Sequence, residues 1–224
     1  MSELQMEERR KAIMAAAIRR FDASGYSATT MDEVAADAGI SKGSIYNYFQ
    51  SKEDLFAQLF SATASQKQDE IEAAMAQAGS PSKQINCLVD QWAAHLPERQ
   101  RFGRLFLEFW ATAARGKQSQ LAKTFSQFYN RWRDLVAATI MQGIQEGEFR
   151  KDFSPPTAAT LILAILDGIS VQLMTDMGIN VDGEFVEALK RAIMAGLTIS
   201  PPAIANCPRT DLPADAGKST RTTN

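Results

Sequence analysis

The 224-residue sequence holds one histidine and two cysteines, Cys87 and Cys207. One His with two distant Cys cannot furnish a tetrahedral zinc set, so no metal ligand is assigned and no cofactor is implied. The thiols read as free cysteines of a reducing, cytoplasmic compartment. No nucleophile motif is present, so no catalytic residue is assigned and an enzyme is the weakest function class. The opening stretch MSELQMEERRKAIM lacks the apolar core of a secretory signal. Strand-like alternation and internal repeats are missing. So is a positive charge balance: the net charge is −2. A nucleic-acid partner therefore depends on where positive charge sits, not on its total.

What the chain does have is apolar residues, 45% of the total, arranged at helical spacing. Ile13, Ala17 and Phe21 recur at four-residue steps in a helix over 3–24, which Gly25 ends. Thr30 with Glu33, and Ser51 with Asp54, have the spacing of helix-opening capping pairs. Between them, Gly39 permits a turn, Ile40 anchors it, and Ser41 opens a third helix over 42–49. A long fourth helix runs from about 52 to 78. Its first half is broadly apolar and its second half polar, with sparse anchors at Ile71 and Met75. Further helices are expected over about 82–95, 98–115, 119–146, 156–177 and 183–198. The tail from 200, rich in Pro, Thr, Ala and Asp, reads as disordered. The stretch TAATLILAILDGISVQLMT is nearly long enough to span a bilayer, but Asp167 at its middle favours a buried helix of a soluble protein, with no membrane partner.

The stretch over 29–52, TTMDEVAADAGISKGSIYNYFQSK, has the form of a helix-turn-helix. Residues 41–52 contain two lysines and no acid. Gly43 leaves room for a phosphate; Ser41 and Ser44 offer hydroxyls; Tyr46 and Tyr48 carry phenols; Asn47 has the amide that pairs with adenine. The positive dipole ends at Thr30, Ser41 and Ser51 suit phosphates. Ile45 and Phe49, four apart, hold the helix down. Spacing alone leaves open a three-helix packing unit whose aromatics are simply core.

Over about 8–68 the chain resembles the DNA-binding domain of the TetR family of transcriptional regulators. The resemblance is carried by Ala17, Phe21, Gly25, Tyr26, Thr29–Met31, Val34, Ala35, Ala38–Phe49 and Ser51–Leu55. It implies an all-α fold of about nine helices. An N-terminal helix-turn-helix domain over 1–52 (the motif itself at 31–50) precedes a larger C-terminal bundle over 53–199 for ligand binding and dimerisation. It implies DNA contacts from Thr30, Ser41, Lys42, Ser44, Tyr46, Tyr48 and Lys52, to which the residue chemistry adds Gly43 and Asn47. Tyr48 stands where many members carry His. The expected function is a dimeric, ligand-responsive regulator, read as a repressor on a palindromic double-stranded DNA operator. The rival is a helical small-molecule binding or scaffold protein with a structural helix-turn-helix.

Two further sets follow. The helix over 157–177 is apolar nearly all round and must be buried all round. With the stripe of the last helix it gives a candidate homodimer interface of Leu161, Ile165, Gly168, Val171, Phe185, Leu189 and Ile193. The aromatics Trp92, Phe106, Phe109, Trp110, Phe128 and Trp132 read as core by spacing and as a pocket for a small, mainly apolar effector by the family resemblance. Glu108, the lone acid in LFLEFWATAA, reads as a partner of Arg101, Arg104 or Arg115, or as a pocket counter-charge; Asp167 invites the same two readings. His95 reads as an ordinary helix-end cap.

Overall fold

The computed structural model describes residues 2–97, 103–115 and 119–198; the expected tail from 200 and the expected helix start at 98 lie outside them. Among the described residues there are nine helices and no strand: α1 Glu3–Ala28, α2 Met31–Asp37, α3 Lys42–Ile45, α4 Lys52–Gln77, α5 Pro81–Ala94, α6 Gly103–Arg115, α7 Gln120–Gln145, α8 Pro155–Met174 and α9 Gly183–Thr198.

The capping residues set most boundaries. Thr30 Oγ1 accepts the Glu33 N–H at 3.3 Å, and Glu33 accepts the Thr30 N–H at 2.8 Å, a reciprocal capping box. Ser41 and Ser51 accept from Ser44 N and Asp54 N. Gly25 interrupts α1 with φ 79° and ψ 160°, so the last residues of that helix follow a kink. The regular part of α3 is shorter than the expected 42–49 and stops at Ile45. The chain continues in tight turns, with Asn47 N donating to Ser44 O and Tyr48 N to Ile45 O. Three-residue bonds of this kind tighten a helix end, and here they deliver Phe49 into the core.

Two hydrophobic clusters divide the molecule. The first joins Ile13, Ala17 and Phe21 of α1 to Val34, Ile45 and Phe49 and to Leu55, Phe56, Leu59 and Phe60 of α4, and it also takes in Leu105 and Phe109 of α6 and Leu121 and Phe125 of α7. The N-terminal core thus draws on residues well beyond 52. The second joins Ile71 and Met75 of α4 to α5, α7, α8 and α9. Helix α4 enters both, and Phe128 packs against both. The polar second half of α4, with its sparse anchors, is therefore a bridge.

Helix α8 is the one described helix long and apolar enough by length and composition to cross a membrane. In this fold it packs against protein along a face of Ala159, Ile162, Leu166 and Ser170. Trp92 Nε1 donates to Ser170 Oγ at 3.0 Å, pinning α5 to α8. The expectation of burial all round fails within one chain: Leu161 is 60% and Ile165 44% exposed. The stripe of α9 also lies elsewhere than expected. Leu189, Ile193 and Leu197 are buried in the chain's own second core, with Phe185 packed beside them. A four-step stripe says that a face is covered; it does not say by which chain.

Candidate nucleic-acid interface and effector cavity

The turn between α2 and α3 is closed by backbone. Gly39 adopts φ 66°, its N–H reaches Ala36 O, and Ile40 N donates to Ala35 O. A left-handed residue here favours glycine. Ile45 and Phe49 are fully buried beneath α3 and fix its orientation. The opposite side shows Thr30, Ser41, Lys42, Gly43, Tyr46 and Asn47 exposed together, with Ser44 and Tyr48 half-buried beside them. Tyr46 is 49% exposed, unusual for so large a ring. A Cβ at Gly43 would meet nothing in the protein, so its own fold does not demand the glycine.

Two charges differ from the expectation. Lys42 Nζ pairs with Asp32 of α2, and this hydrogen bond raises its pKa; the acid comes from outside 41–52. Both partners are largely exposed, so a phosphate can take over the ammonium at little cost. Lys52 is committed inward. Its Nζ donates to Tyr26 O and Thr29 O, each at 2.8 Å, and to Ser27 O at 3.3 Å, and it lies 4.5 Å from the Tyr26 ring centroid. All three donors of an ammonium are thereby used. Burial lowers its pKa, with Glu108 and Glu33 opposing. Lys52 fastens the end of α1 to the start of α4.

Glu108 performs a related task from α6. Its Oε2 accepts the backbone N–H of Tyr26, where α1 is kinked. Neither an arginine pair nor a ligand is needed to explain this acid. Arg101 and the side chain of Arg104, two of the expected partners, lie outside what the structure describes.

Behind the helix-turn-helix, α1, α4, α6, α7 and α8 enclose a cavity of about 190 Å3. Phe106, Phe109, Phe128 and Trp132 line it, as the aromatic pattern suggests. Trp92 lines a smaller neighbouring cavity of about 60 Å3, together with Asp167 and Tyr129. Trp110 lines neither. It packs beside Phe106 and Tyr129 on the first core, one residue round from Phe109 and so turned to another side of α6. Sequence reading missed the cavity's polar members Thr63, Lys67, Gln68 and, as a lining residue, His95. His95 does cap α5, and its Nδ1 lies 2.6 Å from Gln91 O. The available signal was register: Gln68 falls four after Ala64 and three before Ile71, on the apolar stripe.

The cavity wall runs directly into the DNA-binding unit. Phe109 stacks on Phe56 at 3.8 Å between centroids, and Phe56 stacks on Tyr26 at 4.2 Å, beneath Lys52.

Residues 13–59 match the family described as bacterial regulatory proteins, tetR family, and residues 81–198, more than half the chain, match the C-terminal region of BetI-type transcriptional repressors. The chain belongs to the TetR family. It is a DNA-binding transcriptional regulator. The uncharacterised regulator YhgD of Bacillus subtilis is 41% identical over 68 residues, covering 30% of this chain and 36% of that protein. YfiR of the same organism, also an uncharacterised regulator, is 26% identical over 166 residues, covering 73% of this chain and 78% of that protein. In fold, the chain is similar to the fatty acid degradation regulator FadR from Bacillus halodurans, with a TM-score of 0.71 at 22% identity, over 84% of this chain and 96% of that one.

Proposed function

We propose that this TetR-family chain is a cytoplasmic homodimeric repressor that acts by binding rather than catalysis, and that a small, mainly apolar effector releases it from a palindromic operator. Thr30, Ser41, Lys42, Gly43, Ser44, Tyr46, Asn47 and Tyr48 form the DNA-facing surface, and Lys52 positions it from behind. One short recognition helix reads a few base pairs. A two-fold copy supplies the second half-site about 34–36 Å along the duplex per helical turn. The bare face of α8, bearing Leu161, Ile165 and Gly168 with Val171 at its edge, is where the second copy packs.

The observation that carries this reading is the shared wall: Phe109 lines the cavity and, through Phe56, stacks against Tyr26 at the base of the helix-turn-helix. A ligand that fits the cavity better in one arrangement of that stack than in another shifts the balance between them, and one that binds both equally shifts nothing. Helix α4, common to both cores, then carries the displacement to the recognition helices.

The test is a mobility-shift assay with the DNA upstream of the protein's own gene. Wild type is expected to shift it, and Lys42→Ala and Tyr46→Ala to weaken binding with unchanged melting temperature. A helical ligand-binding protein with a structural helix-turn-helix would give no shift in any variant.

A further inference from the structure

The larger cavity holds one polar group that the fold leaves unused. Gln68 is 2% exposed, and its Nε2 has no hydrogen-bond partner. A buried amide donor without a partner is costly, and each such group calls for an explanation. Its neighbours define what would satisfy it. Lys67 and His95 also line the cavity, although Lys67 Nζ already pairs with Glu70 at 3.5 Å and His95 Nδ1 lies 2.6 Å from Gln91 O, and the Thr63 hydroxyl donates to Leu59 O at 3.0 Å. Among the described residues, no Asp or Glu lines this space. The Gln68 amide is thus the lining donor left without a partner, and the lining itself carries no acid.

We propose that the cavity takes a small carboxylate with an apolar body. The carboxylate accepts from Gln68 Nε2 on the side of Lys67 and His95, and the hydrocarbon lies against Phe106, Phe109 and Trp132. A charge-assisted bond to an ionised acceptor is stronger than a neutral one, which favours a carboxylate over an alcohol. A quaternary ammonium needs aromatic faces and gains from a nearby acid; placed here it would meet the unpartnered amide donor and no acid in the lining. The volume of about 190 Å3 is below the roughly 300–1,000 Å3 of drug-sized sites, so the ligand is a medium-chain or single-ring acid. The proposal rests on the reading of this cavity as the effector site.

Three probes of one chain length separate the possibilities: octanoate, octanol and octyltrimethylammonium, titrated into the full-length protein by calorimetry and followed by tryptophan fluorescence. Octanoate is expected to bind about tenfold tighter than either of the others, a difference on the scale of one charge-assisted hydrogen bond. Gln68→Leu is expected to lose about that factor for octanoate and to bind octanol within about twofold of wild type. Gln68→Met serves if the leucine variant melts early. Equal or tighter binding of the ammonium, octanoate binding indifferent to both Gln68 variants, or binding of none of the probes by the folded protein overturns the proposal. A mobility shift without ligand separates the two readings. A chain that fails to shift its own upstream DNA yet binds octanoate through Gln68 defeats the repressor and leaves the carboxylate site standing.

Discussion

Glu108 and Tyr26 are joined across 82 positions of sequence: the Glu108 carboxylate, on α6, accepts the Tyr26 backbone N–H at the kink of α1. The other carboxylate oxygen lies 2.8 Å from the point a Cβ on Gly25 would occupy, and Gly25 itself sits at φ +79°. Glycine is therefore required twice, by backbone conformation and by the acid beside it. Glu108→Ala is expected to leave a part-buried N–H unpaired and to lower stability by about 1–2 kcal/mol. Gly25→Ala is expected to cost about 1–3 kcal/mol in backbone strain, because positive φ with extended ψ is open essentially to glycine alone, plus the displacement of the carboxylate. Because the second term disappears once Glu108 is gone, the double variant should lose less than the sum of the two single variants. Denaturant unfolding of all four proteins measures this coupling, and strict additivity would remove the contact from the account.

The two lysines near α3 divide into a DNA role and a structural one, and salt dependence tells them apart. Each phosphate contact contributes about −0.9 to the slope of log K against log salt. Lys42→Ala is expected to reduce that slope by about one contact at unchanged stability, since its exposed pair with Asp32 is worth little. Lys52→Met removes the bonds to three carbonyls and is expected to cost about 1–3 kcal/mol of stability. Its folded fraction should keep the wild-type slope. A slope change of equal size in both variants would return Lys52 to the DNA-facing surface.

The exposed ridge of α8 predicts its own partner. Leu161, Ala164, Ile165 and Gly168 lie on the side turned away from the second core. Leu161→Glu combined with Ile165→Glu is expected to yield monomers in sedimentation experiments, with operator affinity reduced by at least about a hundredfold because each half-site then binds alone. Leu189→Glu should instead unfold the chain, since that residue is buried in its own core. Dimers that persist in the double variant would place the interface elsewhere.

The contrast between α8 and α9 marks how much was legible in the sequence. Helix periods, caps and the glycine turn are local, and Thr30, Ser41 and Ser51 opened their helices where their spacing implied. The exposed side of α3 was legible for the same reason, since Ile45 and Phe49 fix its inner side. Long-range pairings were not. Glu108 stood out as a lone acid in an apolar run, yet its partner is a backbone amide, which no side-chain pattern reports. Lys52 looked like a phosphate ligand by position, and three carbonyls brought together by the fold hold it instead. Gln68 was hidden in a polar stretch, although its register matched Ile71.

Acid should loosen the C-terminal bundle at a definable point. Helix α5 opens at Ser80 and Pro81 without a side-chain cap of its own, and Glu148, from the turn after α7, accepts the Ser82 N–H at 2.9 Å. A carboxylate near a helix N-terminus is favoured by the dipole and the free amides there. The hydrogen bonds from Ser82, with a smaller contribution from Ser80 and the charge of Lys83, lower the pKa of Glu148 below the ordinary carboxylate value. A depressed folded-state pKa stabilises the protein fully above the unfolded value, about 4.3 for Glu, and that contribution is lost as pH falls through the folded value. Glu148→Gln carries no titratable group and cannot lose it. Melting temperatures at pH 7 and about pH 3 are therefore expected to differ less in Glu148→Gln than in wild type. The variant should be the less stable of the two at pH 7, and the difference should shrink in acid. Some acid sensitivity will remain, because Glu33 and Glu70 are shifted in the same direction by their own hydrogen bonds. Identical acid limbs for the two proteins would show that the Glu148–Ser82 bond does not hold the start of α5 in solution.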